Sequence, residues 1–275
     1  PTYYPHVGWC EQDPEDWCRA FKTAFGDILK TAGVGAERIK ALSFDAATHT
    51  AVLLGEQKQV LRRAILWTDQ RSKEEVQELK DTCLDTIMDQ AVNAPTTVWT
   101  LPQLMWLRRH EPEIWGQIRY ILFAKDYLRF RMTGTMETDT IDAEGSMFYD
   151  IRRERWSEEL CAVGGIRKEW LPRLCRPTDV AGTGVRPCGG NPGAGRHYGH
   201  GDGAFRGGQC GAGSRHGEAG HRRAYLHRDR PCAGLQIYFQ LSPCGAGAVV
   251  SRHGHGQLRR QLSLVSGHHR PGAVW

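Results

Sequence analysis

ALSFDAATHTAVLLGEQKQVLRRAILWTDQR, from Ala41 to Arg71, is the stretch whose reading sets the architecture. Its apolar, partly β-branched runs predict strands over 41–46, 51–54 and 60–67, with Gly55, Glu56 and Gln57 turning the chain between the last two. Polar residues stand at the strand ends: His49 and Thr50 before the second strand, Asp69 and Arg71 after the third. In open α/β sheets such ends line ligand crevices. This stretch is therefore the first place to look for a site.

On its N-terminal side, GWCEQDPEDW (8–17) leads into a helix. Asp13 is a good N-cap, Pro14 suits the first helical position, and Glu15 and Asp16 complement the dipole. Trp17, Phe21, Phe25 and Ile28 recur at helical spacing, and Gly33 and Gly35 stop the helix. On its C-terminal side, a helix starts behind Ser72, and amphipathic helices follow over 101–109 and 112–119. A buried strand at 120–123, a helix over 125–132 stopped by Gly134, a strand at 147–149 and a helix over 156–163 complete the pattern. A helical turn is expected at 170–174. Alternating strands and helices argue an α/β fold.

Composition changes near residue 183. Residues 1–180 hold 8 Lys and 16 Arg against 28 acidic residues, a net charge of −4. Residues 181–275 hold no Lys, 12 Arg and 3 acidic residues, a net charge of +9, together with 22 of the 32 Gly and 9 of the 12 His. Two units follow: an α/β domain over 1–183 and a Gly/Arg/His-rich tail over 184–275 with little expected order. Cys10, Cys18, Cys83, Cys161 and Cys175, an odd number without a CxxC pair, favour reduced thiols and a cytoplasmic protein. No apolar run of spanning length is present. The chain begins at Pro1 without Met, so a preceding segment is expected.

GWCEQDPEDW resembles the GWxEQDPxxW opening of the FGGY family of carbohydrate kinases, especially its xylulokinases. THTAVLL, VLRRAILWTDQRS, LPQLMWLRRHEPEIW, ILFAKDYLRFRMTG, TDTIDAEGSMFYDI and RWSEEL follow in that family's order, from about Gly8 to Gly182. The resemblance implies the N-terminal domain of an actin-like ATPase (RNase H-like) fold. It implies a cleft where ATP, with Mg²⁺, meets a ketose such as D-xylulose, yielding D-xylulose 5-phosphate. Such transfer depends on positioning, charge neutralisation and an Asp that takes the hydroxyl proton. Ribulokinases and glycerol kinases share most of these motifs, and RHEPEI and KDYLRFRMTG tilt the reading toward xylulose. Partners are then a sugar and ATP rather than nucleic acid or membrane, and a homodimer stays open.

Two departures matter. The family's DxGT-type phosphate hairpin precedes GWxEQDP, and nothing like it occurs in 1–7; the family's catalytic Asp and ATP-binding glycines have no counterpart in the tail. No catalytic residue is assigned, and the 275 residues are expected to be inactive as a kinase, with a non-catalytic sugar-binding or regulatory module as the rival. The tail has the composition of GC-rich coding sequence read out of phase. For 255–271, HGQLRRQLSLVSGHHRP, a one-base shift permits TANSAGNSLSYRDTIAP, which resembles second-domain kinase sequence. A zinc site built on His253, His255, His268 and His269 with Cys232 and Cys244 has no ordinary spacing. A nucleic-acid role for the charge lacks aromatic platforms. Asp202, in a Gly-Asp-Gly turn, is not assigned.

Four substrate-binding candidates remain. THTAVLL overlies the family's sugar-touching MHG-type turn, Thr48 in the Met position and His49 on the His; read alone, His49 is an ordinary loop histidine. Thr50 replaces the family's Gly. Trp67 suits stacking on a sugar's apolar face, or core packing; Asp69 suits accepting from hydroxyls, or capping ahead of Arg71. Trp99 reads as a packed aromatic near the substrate, and Lys125-Asp126 as a helix start whose charges are satisfied locally. No metal ligand is assigned.

Overall fold

A computed structural model describes residues 1–182 and the backbone of 235–242, 245–252 and 263–265. In chain order the elements are β1 (Thr2–Tyr3), β2 (Glu11–Gln12), α1 (Pro14–Ala32), β3 (Ile39–Asp45), β4 (Ala51–Leu54), β5 (Ala64–Ile65), α2 (Lys73–Thr82), α3 (Leu84–Gln90), α4 (Thr100–His110) and α5 (Pro112–Gln117). Then come β6 (Tyr120–Phe123), α6 (Ala124–Thr133), β7 (Glu137–Asp139), α7 (Thr140–Gly145), β8 (Tyr149–Asp150), β9 (Arg155–Trp156), α8 (Glu158–Gly164) and β10 (Arg173–Cys175). Strands β11 (Leu235–Ser242), β12 (Gly245–Arg252) and β13 (Ser263–Val265) close the series.

The centre is the antiparallel pair β4–β6, with Val52 opposite Leu122 and Leu53 opposite Ile121. Successive strand side chains point to opposite faces, and both faces are covered. Ala51, Leu53, Ile121 and Phe123 enter one core with Leu101, Leu104 and Met105 of α4 and Leu160 of α8. Val52, Leu54 and Leu122 enter the other with Trp17, Phe21 and Ile28 of α1 and Tyr127, Leu128 and Phe130 of α6. A pair apolar on both faces needs a helical layer on each, which is the α/β arrangement expected.

Helix α1 follows its signals. Asp13 accepts from the Glu15 amide, Pro14 leads, and Gly33 closes the helix at φ 61°. Gly134 closes α6 the same way at φ 79°. Ser72 precedes α2 without making a side-chain cap.

The expected strand 60–67 is corrected. Val60 forms one bridge to Leu54, and the chain then leaves to pair only Ala64–Ile65 with β2. Between these, Arg62 turns in to Glu11 at 2.5 Å and Glu111 at 3.4 Å. Two buried-side ion pairs there take the place of a continued ladder. The helix expected at 156–163 begins instead at Glu158, capped by Ser157, whose hydroxyl accepts from the Leu160 amide. The turn expected at 170–174 is a 3₁₀ turn ending at Trp170 followed by β10.

Three strands of the tail are described. β11 lies parallel to β3, Ile237 opposite Leu42 and Phe239 opposite Phe44, and β12 and β13 extend the sheet antiparallel. Leu235, Ile237, Phe239 and Leu241 alternate with Gln236, Tyr238, Gln240 and Ser242, a period-2 signal that the composition of the whole tail hides. The rest of 184–275, with the zinc, nucleic-acid, Asp202 and most of the shifted-frame readings, lies outside the described residues. Among the described helices none is long and apolar enough to cross a membrane. The five cysteines named above stand as free thiols, and burial raises Cys161 to about 12.

Candidate functional site

The turn between β3 and β4 is fixed residue by residue. His49 sits in the left-handed region at φ 51°, a conformation that costs a non-glycine residue about 1 kcal/mol or more unless its surroundings hold it. They do. Its amide donates to Asp142 Oδ1 at 2.8 Å, and its carbonyl accepts from Thr100 Oγ1 at 2.6 Å. Its Nε2 lies 3.1 Å from the Val98 carbonyl. A carbonyl only accepts, so Nε2 carries the proton and Nδ1 is the bare acceptor. Nδ1 has no partner. It abuts Gly145, where an added Cβ would come within 2.5 Å of it. Burial lowers the imidazole's pKa, the Val98 carbonyl opposes that, and the result is about 4. The ring is neutral at neutral pH, with the Trp99 ring 5.1 Å away.

The second turn follows β5. Trp67 is 45% exposed, while Leu66 before it and Asp69 after it are buried. Gln103 of α4 donates one amide nitrogen to both the Leu66 carbonyl (3.4 Å) and the Thr97 carbonyl (3.1 Å). The Trp67 turn is thereby tied to the 97–99 segment that also touches His49. One glutamine joins the two turns.

Asp69 is fully committed. Oδ1 accepts from the Arg71 amide and Nε, each at 2.9 Å; Oδ2 accepts from Arg71 Nη2 at 2.8 Å and the Cys10 amide at 2.5 Å. Four donors fill a carboxylate's four lone-pair positions, so Asp69 offers no free acceptor to a sugar. Arg71, with a 1% exposed side chain, also pairs with Glu11 at 2.8 Å. Its guanidinium lies 3.7 Å over the Trp9 ring and 5.0 Å over Trp106. Trp9, the Cys10 amide and Glu11, all from GWCEQ, thus converge on the Asp69–Arg71 pair, the amide on Asp69 and the other two on Arg71. Removing one partner from such a buried pair costs about 3–5 kcal/mol.

The four candidates therefore divide. Thr48 and Trp67 are exposed, His49 is half-buried with both ring nitrogens occupied or covered, and Asp69 is buried in an ion pair. Positive φ falls on His49 and not on Thr50, so the missing glycine at 50 imposes no backbone strain. Trp99 packs on His49 and donates from Nε1 to the Ala94 carbonyl at 3.0 Å.

Lys125 extends an expectation. Its ammonium reaches Asp126 at 2.8 Å but also Asp139 at 3.1 Å and Asp142 at 2.7 Å. The expected local pair with Asp126 is present, and the charges are satisfied across elements as well. Burial lowers the Lys125 pKa, but Asp142, Asp126 and Asp139 outweigh it and hold it above the usual lysine range. Sequence reasoning missed Gln103, Asp142 and Gly145, whose roles depend on contacts 30 or more residues away along the chain.

Among the described residues no group of three or more His, Cys, Asp or Glu is arranged to hold a metal. The carboxylates that do gather already share Lys125.

Residues 1–193 match the FGGY family of carbohydrate kinases, N-terminal domain. The xylulose kinase of Klebsiella pneumoniae is 39% identical over 185 residues, covering 66% of this chain and 37% of that protein. The xylulose kinase of Bacillus subtilis is 34% identical over 183 residues, with the same coverage, 66% and 37%. Among solved structures, a xyloylose kinase from Brucella ovis superposes with a TM-score of 0.65 at 34% identity, covering 68% of this chain and 38% of that one. The chain spans little more than a third of the length of the curated relatives it matches. The matched fold is that of the actin-like sugar kinases.

Proposed function

Because the chain belongs to the FGGY family of carbohydrate kinases, we propose that the protein it represents phosphorylates a ketose with ATP, converting D-xylulose to D-xylulose 5-phosphate. The described residues supply the sugar-facing wall of that site. The carrying observation is the exposed Trp67 joined through Gln103 and the 97–99 segment to the held turn at Thr48-His49. Trp67 offers an apolar face to the sugar's C–H surface, and Thr48 a hydroxyl to its oxygens. His49 and Asp69 support them, His49 shaping its turn and Asp69 holding Arg71 two residues on. ATP follows from the family, and Mg²⁺ is expected with it; neither a ligand to the metal nor the group that takes the hydroxyl proton is assigned among the described residues. A cytoplasmic location, a sugar and ATP as partners rather than nucleic acid or membrane, a homodimer left open, and a unit boundary near 183 belong to the same reading.

A coupled ADP-release assay with D-xylulose, D-ribulose and glycerol tests it. The 275-residue polypeptide is expected to give no turnover with any of them. A polypeptide carrying the shifted reading of the tail behind an intact phosphate hairpin is expected to prefer D-xylulose; preference for D-ribulose or glycerol overturns the assignment of substrate. A non-catalytic sugar-binding module is the second reading, supported by the exposure of Thr48 and Trp67, which can contact a sugar without taking part in phosphoryl transfer. Sugar binding by the 275 residues under physiological conditions, with no turnover in either polypeptide, would select it.

A further inference from the structure

We propose that Lys125 is a positioning residue for the turn at His49: its ammonium gathers Asp126, Asp139 and Asp142, and Asp142 in turn fixes the His49 backbone. The inference rests on the proposed function only in calling that turn sugar-facing. Helix α7 touches the turn twice. Asp142 Oδ1 accepts from the His49 amide at 2.8 Å, and Gly145 lies against the His49 ring. The position of α7 therefore sets the position of the turn.

What sets α7 is charge. Asp139 caps it, accepting from the Ile141 and Asp142 amides at 3.1 and 3.2 Å. Its remaining oxygen, Asp142 Oδ2 and Asp126 Oδ1 all point at Lys125 Nζ, 3.1, 2.7 and 2.8 Å away. Asp126 is fully buried and has one other cation, Arg129, at 3.0 Å. Without Lys125, Asp139 and Asp142 face each other with no cation from α6 beside them. Like charges in a partly desolvated site repel strongly. Moving α7 outward relieves that repulsion, and the move withdraws Asp142 from His49. Lys125 thus reaches the turn through one intermediary, without touching it.

A lysine that merely neutralises buried charge would change stability alone. The experiment therefore reads the geometry of His49, by imidazole NMR titration of the full chain without sugar. Lys125→Met is expected to move the His49 midpoint from about 4 toward its ordinary value of about 6.5, as the turn opens to water. Asp142→Ala should do the same, and Lys125→Met/Asp142→Ala should do no more than either alone, because the two act in series. A folded Lys125→Met protein with His49 unmoved overturns the proposal, as does additivity in the double variant. Should Lys125→Met fail to fold, Asp142→Ala carries the test, since it leaves Lys125 with Asp126 and Asp139; His49 unmoved there is equally fatal. Failure of the unaltered chain to respond to D-xylulose would count against the functional reading and leave this one standing.

Discussion

A neutral imidazole wedged between the Val98 carbonyl and Gly145 gives folding a pH dependence opposite to that of a histidine held by a carboxylate. In the unfolded chain His49 takes a proton near 6.5; in the folded chain it does so only near 4. Protonation between those values favours the unfolded state. The stabilisation is complete above about pH 6.5, shrinks as pH falls, and is spent near pH 4, a total on the order of 3 kcal/mol. Urea melts of wild type and His49→Asn across this window should differ in slope, since Asn tolerates the left-handed backbone but does not titrate. Identical slopes would remove the buried neutral imidazole from the account. Val92 makes a second test. It closes α3 at φ 57°, its amide donating to the Ile87 carbonyl, and is 52% exposed. A β-branched residue is strained there, so Val92→Asn should raise stability by about 1 kcal/mol, read as a higher denaturant midpoint. No change, or a loss, would mean that its partial burial outweighs the strain.

Elements whose signals are local were readable, and those held by distant partners were not. Helix α1 carries its own start and stop in Asp13, Pro14 and Gly33, and the structure keeps them. Asp13→Ala should cost about 1 kcal/mol in thermal or chemical melts. The strands at 51–54 and 120–123 were equally plain, because unbroken apolar runs of that length suit a pair covered on both faces. Their alternation gives a sharper prediction: Leu53→Ala and Leu54→Ala, adjacent in sequence, open cavities in different cores. Each should cost about 2–5 kcal/mol, and the two costs should add. Strong non-additivity would mean that the two layers are one. The long strand at 60–67 misled because Arg62 reads as a strand residue until Glu11 and Glu111 are seen beside it. Helix α3 ends at Gln90 and its closing turn falls on Val92, no ordinary stop residue, and α7 is six residues whose cap, Asp139, also serves Lys125. Neither announces itself locally.

At the scale of the molecule, the resemblance carried by GWCEQDPEDW and the segments after it pointed to the family, while the side chains redistribute the roles within the proposed site. Asp69 and His49 have the right chemistry for a sugar and the wrong surroundings for direct contact, a distinction set by Arg71, Cys10, Val98 and Gly145. The break near residue 183 was legible as charge and glycine content, yet the strand pattern of 235–242 beneath it was not, because Gly and Arg on either side dilute it. We propose that the tail beyond 183 is largely an out-of-frame reading. Sequencing the coding DNA across 175–275 decides it: codons that permit the shifted reading through 255–271 are expected, and codons that forbid it would end the idea. The central claim, that the described residues form the sugar-facing wall of a kinase cleft, is tested most directly by titrating the chain with D-xylulose and following backbone amide shifts. Weak, dose-dependent shifts confined to 47–50, 66–68 and 97–99, and abolished by Trp67→Ala, are predicted. Shifts gathered elsewhere, or none with D-xylulose, D-ribulose or glycerol, would contradict it.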